Sequence, residues 1–314
     1  MRPSHCCSLR AIALAVFSLA AISPAGAQTA PVAPAISTPA PTATYKINLS
    51  PPFKVGQKYT LVNNTKSDLD VTLTISPPGA PTPQVQQIKQ SNVIHLEADC
   101  AVLAITAEGQ PKKLVLTVKA LKASQNGQNI AGLPGAGDVI TAESTGKRDK
   151  TFSISGQPLN PAVSNLLKTF IPVGRDGTNS QIMYGTKDPV AVGATWVPGP
   201  AMLADLQDSM PNVAGIQGGV KLESVAGSGD AQVARISGNF SILGATAPLS
   251  PPLNTIPAQC TVLLGGAFPA TAKGTFDESL KMIMKLSGST DAGGAHLKAE
   301  GTIIQDGTQT ITVP

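Results

Sequence analysis

The sequence predicts a mainly β protein made of two related antiparallel β modules, sandwich-like or open-barrel-like, with one or two short helices between them. Charged residues make up only 13% of the chain, about half the usual share, which leaves little material for salt-bridged helices. Glycine and proline number 30 and 27, and both residues punctuate strands and turns. Apolar residues alternate with other residues most clearly at Leu280, Met282, Met284 and Leu286, which indicates a strand with one buried face.

One eight-residue phrase occurs twice, 137 residues apart, at Pro52 to Tyr59 and at Pro189 to Trp196. Each copy reads proline, an apolar residue, any residue, Val-Gly, two variable residues and a large aromatic residue. Proline fixes φ, and glycine permits a tight turn before the next strand. We interpret the pair as the trace of an internal duplication in which each module opens with the same turn and strand. The alternative is a chance recurrence of a common turn-to-strand phrase.

Residues 1–27 have the features of a secretory signal peptide. Arg2 and Arg10 supply positive charge ahead of a short apolar stretch, and small residues precede a cleavage site between Ala27 and Gln28. The apolar stretch is shorter than the roughly 20 residues that span a bilayer. We therefore expect an exported protein, either periplasmic or extracellular.

Composition divides the remaining chain into four parts. Residues 28–44 are mainly Ala, Pro and Thr, which predicts an extended linker without a core of its own. Strand patterns then predict a first β module over residues 45–155 and a second over residues 186–314. Residues 156–185, between the modules, are predicted to form a helical hinge.

Local signals place the helices and one turn within these parts. Asn160 followed by Pro161 has the residue types of a helix start, and a second short helix is predicted over residues 201–209. Asp306-Gly307 is a strong signal for a two-residue turn. It predicts a hairpin between strands over residues 296–304 and 308–313.

The chain resembles a loosely defined group of uncharacterised secreted bacterial β-rich proteins. The resemblance rests on the Val-Gly-x-x-aromatic strands and on Gly274-Thr275-Phe276-Asp277 followed by an alternating strand. It covers about residues 45 to 314. The resemblance implies a β-rich envelope protein and brings no established activity with it.

No motif predicts catalytic, cofactor-binding or metal-binding residues. His95 and His296 stand alone, with no acid or cysteine at ligand spacing. The net charge is about +2 once residues 1–27 are removed, which argues against nucleic acid as a partner. No later apolar run is long enough for a transmembrane helix, so we expect no transmembrane segment after processing.

Cys100 and Cys260 are the candidate disulfide of the processed chain. An exported protein folds in an oxidising compartment, and a bond between these residues would join the two modules. The alternative is two separately buried thiols that behave as small apolar side chains, because each lies in an apolar strand.

These observations favour an exported, non-catalytic envelope or extracellular protein of the binding or scaffold type. The first alternative is a carrier of an apolar small molecule or lipid, and it requires an apolar cavity. The second is a hydrolase whose site is assembled from residues distant in sequence, such as a cleft where a histidine meets an acid. A filled core with neither feature would favour the scaffold.

Processing can be tested by the intact mass of the protein purified from an exporting host. We expect the mass of residues 28–314, because the cleavage site follows Ala27. A mass that still includes residues 1–27 would contradict the signal peptide. In the same spectrum, the loss of two hydrogens from the reduced mass would establish the bond between Cys100 and Cys260.

Overall fold

The computed structural model describes residues 43–50, 52–145, 149–168, 170–174, 176–210, 212–249 and 253–314. The predicted signal peptide, its cleavage site between Ala27 and Gln28, and nearly all of the linker over 28–44 lie outside these residues.

The described residues form fifteen strands and three α-helices. The helices are α1 (Pro161–Lys168), α2 (Ser180–Tyr184) and α3 (Pro200–Ser209). The strands are β1 (Thr44–Tyr45), β2 (Lys58–Ser76), β3 (Gln84–Ile105), β4 (Pro111–Gln125), β5 (Gln128–Asn129), β6 (Val139–Ser144), β7 (Lys150–Ile154), β8 (Gln157–Pro158), β9 (Val190–Ala191), β10 (Thr195–Trp196), β11 (Gly215–Ala226), β12 (Val233–Leu243), β13 (Ala258–Pro269), β14 (Gly274–Ala292) and β15 (Ala295–Val313).

Nearly all of the strands belong to one antiparallel sheet. Its order is β10-β11-β12-β13-β14-β15-β2-β3-β4-β6-β7-β8, with β5 paired beside β4. The prediction of a mainly β, antiparallel fold with a few short helices is confirmed. The two predicted modules share this sheet, because β15 at the end of the second module pairs with β2 at the start of the first.

Four adjacent strands at the centre of the sheet are unusually long. β14, β15 and β2 contain 19 residues each, and β3 contains 22. A strand in a globular protein typically has about five or six residues. The hairpin predicted at Asp306-Gly307 is wrong, since both residues lie inside β15 and pair with β14 and β2. The turn between β14 and β15 lies instead at Gly293 and Gly294, whose φ values of 58° and 82° suit a two-residue hairpin turn.

One face of the sheet carries two hydrophobic cores at opposite ends of the long strands. The first core contains inward side chains of β3, β4, β6 and β7, together with α1. The second core contains those of β11 to β14, together with α2 and α3. β2 contributes to both, with Leu61 in the first core and Val71 in the second. Because alternate residues share a face, the polar residues Asn63, Thr65 and Ser67 lie on this same face between the two cores.

The helices predicted around Asn160 and over residues 201–209 are present as α1 and α3, and α2 is an additional helix. The carboxyl end of α1 is held by Lys150 of β7. Its Nζ atom donates hydrogen bonds to the carbonyl oxygens of Lys168 at 3.2 Å and Ile171 at 2.8 Å. A lysine in this place satisfies carbonyl groups that a helix end leaves unpaired. Burial lowers the pKa of Lys150 to about 8.

The two copies of the repeated phrase form the same turn. Gly56 and Gly193 adopt positive φ values of 82° and 88°, a region that favours glycine. Each glycine amide donates to a carbonyl of the neighbouring strand, Val102 in β3 at 2.8 Å and Leu222 in β11 at 2.7 Å. The internal duplication itself stays a prediction. Two copies of one ancestral module would be expected to share this turn geometry.

The candidate disulfide is not formed in the structure. Cys100 and Cys260 are free, buried thiols, and they lie in different cores. Burial raises the pKa of each thiol to about 12, so both are unreactive. The alternative interpretation, two separately buried small side chains, describes them.

The pairing of β15 with β2 can be tested at two glycines that share one face of β15. A Cβ atom at Gly301 would collide with the backbone of Asp70 and would lie 2.6 Å from Val71 Cα. We expect Gly301→Ala to lower the free energy of unfolding by about 1–3 kcal/mol, the usual effect of overpacking. Urea denaturation followed by circular dichroism measures this change.

Gly307→Ala is the matched control. A Cβ atom at Gly307 would meet its nearest neighbour, Asn64 O, at 3.7 Å, which is ordinary contact. We expect the free energy of unfolding to stay unchanged or to rise by up to about 1 kcal/mol. Equal destabilisation by the two substitutions would contradict the register of this strand pair.

Candidate functional site

A pocket lined by apolar and polar side chains lies on the inward face of the sheet, where the first core meets the second. Its cavity volume is about 100 Å³. The walls come from β2, β13, β14 and β15, and the roof comes from chain segments outside the sheet. The lining residues are Leu49, Ser50, Phe53, Tyr59, Gln110, Pro111, Pro172, Ser180, Phe268, Phe276, Glu278, Gln309 and Ile311.

The roof consists of three segments: the chain before β2, the turn between β3 and β4, and the chain from the end of α1 to α2. Hydrogen bonds hold these segments to one another, so their positions depend on each other. With the donor first, these bonds join Phe53 N to Gly109 O (2.8 Å), Gly174 N to Pro111 O (2.7 Å), Gln110 Nε2 to Ser50 Oγ (2.7 Å) and Leu49 N to Gln181 Oε1 (2.9 Å).

Glu278 of β14 is the ionisable group of the pocket floor. Its neighbours across the ladders are Gly266 of β13, which has no side chain, and Gln309 of β15. Burial raises the pKa of the Glu278 carboxyl to about 7, and the hydroxyl of Ser180 at the start of α2 opposes this rise. Glu278 forms no ion pair with any described residue. The pocket therefore holds a carboxyl group that exchanges a proton near neutral pH.

Two further polar groups in the pocket lack partners. Among the described residues, three buried side-chain oxygen atoms have no hydrogen-bond partner, and two of them, Tyr59 Oη and Gln309 Oε1, are in the pocket lining. Tyr59 and Gln309 are only 3% and 5% exposed. Cys100 lies beside Tyr59 across the β2–β3 ladder and offers its hydroxyl only a weak interaction, because a thiol is a weak hydrogen-bonding group. Burial, followed by the proximity of Cys100, raises the pKa of Tyr59 well above its ordinary value, so the hydroxyl stays protonated.

The two histidines of the processed chain, His95 and His296, lie outside the pocket. His95 is half-buried, and its Nδ1 atom is 2.7 Å from Asn64 Oδ1; His296 is exposed, and its Nδ1 atom is 2.8 Å from Asp291 Oδ1. Neither histidine lines the pocket. Within the described part of the chain, no group of three or more His, Cys, Asp or Glu residues could hold a metal ion.

The sequence contains a signal for the pocket floor in the alternation of β14 and β15. Leu280 to Leu286 place their even-numbered residues inward, and Glu278 continues this series by one step. Gln309 likewise precedes the inward Ile311 and Val313. Read alone, Asp277-Glu278 suggests a turn, but both residues lie within β14. A polar residue that continues an apolar inward series marks a buried polar site.

The pocket's pH response can be tested at Glu278. The group's pKa is raised from 4.5 to about 7 on folding, so the folded state binds the additional proton. Its contribution to stability is complete below about pH 4.5 and is lost as the pH rises through 7. We expect the free energy of unfolding to fall by up to about 3 kcal/mol from this group between pH 5 and pH 8.

Glu278→Gln should remove this fall, as measured by urea denaturation at several pH values from 5 to 8. The matched control is Asp277→Asn, one residue away on the exposed face, where the carboxylate accepts a hydrogen bond from Thr310 Oγ1 at 2.8 Å. The control should keep the slope of the wild-type protein. A slope that survives in Glu278→Gln would show that another group causes it.

Comparisons with known proteins do not assign this chain to a family. No family model and no curated protein matches the chain. Within the described residues, no helix combines the length and the apolar content needed to cross a bilayer. One solved structure, the outer membrane protein OprG from Pseudomonas aeruginosa, shares 8% sequence identity over 84% of this chain and 99% of that chain. The TM-score of 0.11 is too low for this likeness to bear on fold or function.

Proposed function

We propose that this chain is an exported, non-catalytic protein of the binding type, and that its binding site is the pocket between the two cores. Export rests on residues 1–27 and on the resemblance to secreted bacterial β-rich proteins of unknown activity. An envelope or extracellular location follows from export. Binding, as opposed to a scaffold role alone, rests on the pocket.

The observation that carries the proposal is a pair of buried oxygen atoms: Gln309 Oε1, which has no hydrogen-bond partner, and Tyr59 Oη, which has only a weak interaction with the Cys100 thiol. Leaving a buried polar group unpaired destabilises a fold by about 1–3 kcal/mol. An apolar side chain at either position would avoid this penalty. A ligand that hydrogen-bonds to these atoms supplies a reason for their presence.

The pocket does not suit a carrier of lipid or of a large apolar molecule. Its volume of about 100 Å³ is smaller than the roughly 150 Å³ of an engineered apolar cavity that holds one benzene. Its floor carries Glu278 and Gln309, which an acyl chain could not satisfy. The two cores are occupied by the protein's own side chains.

A hydrolase remains the second candidate because of Glu278. A carboxyl group with a pKa of about 7 suits a general base at neutral pH, and the hydroxyl of Ser180 contacts it. Binding is favoured because neither histidine of the processed chain is in the pocket lining. Hydrolysis would require a ligand to be consumed, whereas the binding proposal requires it to be released unchanged.

The proposal can be tested by the effect of Gln309 on stability. If Gln309 serves a ligand and not the fold, Gln309→Met should leave the free energy of unfolding of the empty protein unchanged or raise it by about 1 kcal/mol. Methionine has a similar shape and carries no amide to desolvate. Urea denaturation of the ligand-free protein measures the difference.

Asn63→Leu is the matched control, because Asn63 is directly opposite Gln309 and is also buried. Asn63 Nδ2 donates to Phe170 O at 3.4 Å, and its Oδ1 atom accepts from Thr65 Oγ1 at 3.0 Å. Loss of these bonds should lower the free energy of unfolding by about 1–3 kcal/mol. If Gln309→Met destabilises the protein as much as Asn63→Leu, Gln309 is a structural residue and the binding proposal fails.

A further inference from the structure

We propose that the ligand of this pocket carries a small organic cation, a primary ammonium group, that binds between aromatic side chains above Glu278 and Gln309. This inference rests on the proposed binding function and names the chemical class of its ligand. Three properties of the pocket lead to it: its aromatic walls, its excess of acceptors and its size.

Aromatic residues are scarce in this chain and are concentrated at the pocket. The whole sequence has seven Phe, three Tyr and one Trp, yet Phe53, Tyr59, Phe268 and Phe276 all line this one cavity. The rings of Phe53 and Tyr59 have centroids 5.4 Å apart and planes inclined by 53°. Aromatic faces attract cations, and desolvated sites strengthen that attraction.

The polar groups of the pocket call for a donor of hydrogen bonds. Gln309 Oε1 is an acceptor without a donor, and the Glu278 carboxylate has the Ser180 hydroxyl as its one identified partner. Gln110 Nε2 donates one of its two hydrogens to Ser50 Oγ. None of the described lining residues is Lys, Arg or His. A bound cation would therefore meet a carboxylate that has no positive counterpart.

The volume limits the bound group to a few non-hydrogen atoms. A cavity of about 100 Å³ accepts an ammonium group and the carbon atoms next to it. A bare metal ion fits less well, because hard cations take about six or more oxygen ligands and four of the lining residues are aromatic. The cavity thus favours an organic ammonium group over an inorganic ion.

The charge of Glu278 links binding to pH. An ammonium group binds the ionised carboxylate, and burial holds the pKa of the empty Glu278 at about 7. The titratable groups that face it are Tyr59 from β2 and Tyr184 from α2, and burial raises the pKa of each above the ordinary tyrosine range. Both tyrosines are neutral below pH 9, so Glu278 alone sets the pH dependence of binding.

The test is an NMR titration of the processed protein with methylammonium chloride at pH 8 and constant ionic strength. Methyl groups of isoleucine and leucine are ¹³C-labelled, so that Ile311 and Leu49 report from the pocket and Ile140 reports from the first core. We expect saturable shifts at Ile311 and Leu49 with a Kd of about 10 mM or weaker, since so small a ligand gains at most about 1.5 kcal/mol per non-hydrogen atom. Ile140 should not shift.

Variants and pH separate the cation site from general salt effects. Binding should weaken about a hundredfold at pH 5, where only about 1% of a carboxyl group with a pKa near 7 is ionised. Glu278→Gln should weaken binding at least tenfold, whereas Asp277→Asn on the opposite face should bind as the wild-type protein does. If Glu278→Gln does not fold, the pH series on the wild-type protein decides the same point.

Potassium chloride, acetate and acetamide are the competing probes. Equal shifts with potassium would overturn the organic cation, and shifts with acetate or acetamide but not methylammonium would overturn the ligand class while leaving the binding function standing. No binding of methylammonium at pH 8 overturns the inference. If, in addition, Gln309→Met proves as destabilising as Asn63→Leu, the proposed function fails with it.

Discussion

The pairing of β15 with β2 is the interaction on which the rest of the structure depends. It joins the last strand of the chain to the first long strand, with register pairs from His296 and Ser76 at one end to Thr312 and Thr60 at the other. Without it, the strands of each module would end in an open edge, which is a site for aggregation. With it, one sheet carries two cores on the same face, and the space between those cores is a necessary consequence.

The polar middle of these strands follows from strand length and alternation. A strand of 19 residues is about 60 Å long at roughly 3.3 Å per residue, which is more than one compact core covers. Its two ends are buried in separate cores, and the inward residues between them, Asn63, Thr65 and Ser67, are polar. Asn63 is covered there by the chain after α1, because its Nδ2 atom donates a hydrogen bond to Phe170 O. The pocket lies at the border of this polar middle and the first core.

Local patterns were enough to predict the class of fold but not the lengths of its strands. Alternation correctly indicated the inward face at Leu280 to Leu286, because burial of one face is a local property of a strand. The polar run from Asn63 to Asp68 reads as a break, and Asp306-Gly307 reads as a turn. Both are overridden by hydrogen bonds to strands on each side, whose partners are more than 200 residues away in the β2–β15 ladder. That information is absent from any short window of sequence.

The site is harder to predict than the fold because its chemical properties depend on residues that are distant in sequence. Glu278 is an ordinary acid in sequence, and burial beneath the roof is what moves its pKa to about 7. The roof in turn depends on contacts such as that between Leu49 and Gln181, which are 132 residues apart. Each inward polar residue could still have been found, since it continues an apolar series where burial is costly. A chain that places Glu278, Gln309 and the Tyr59 hydroxyl at such positions gives up stability there, and a ligand with hydrogen-bond donors would restore it when bound.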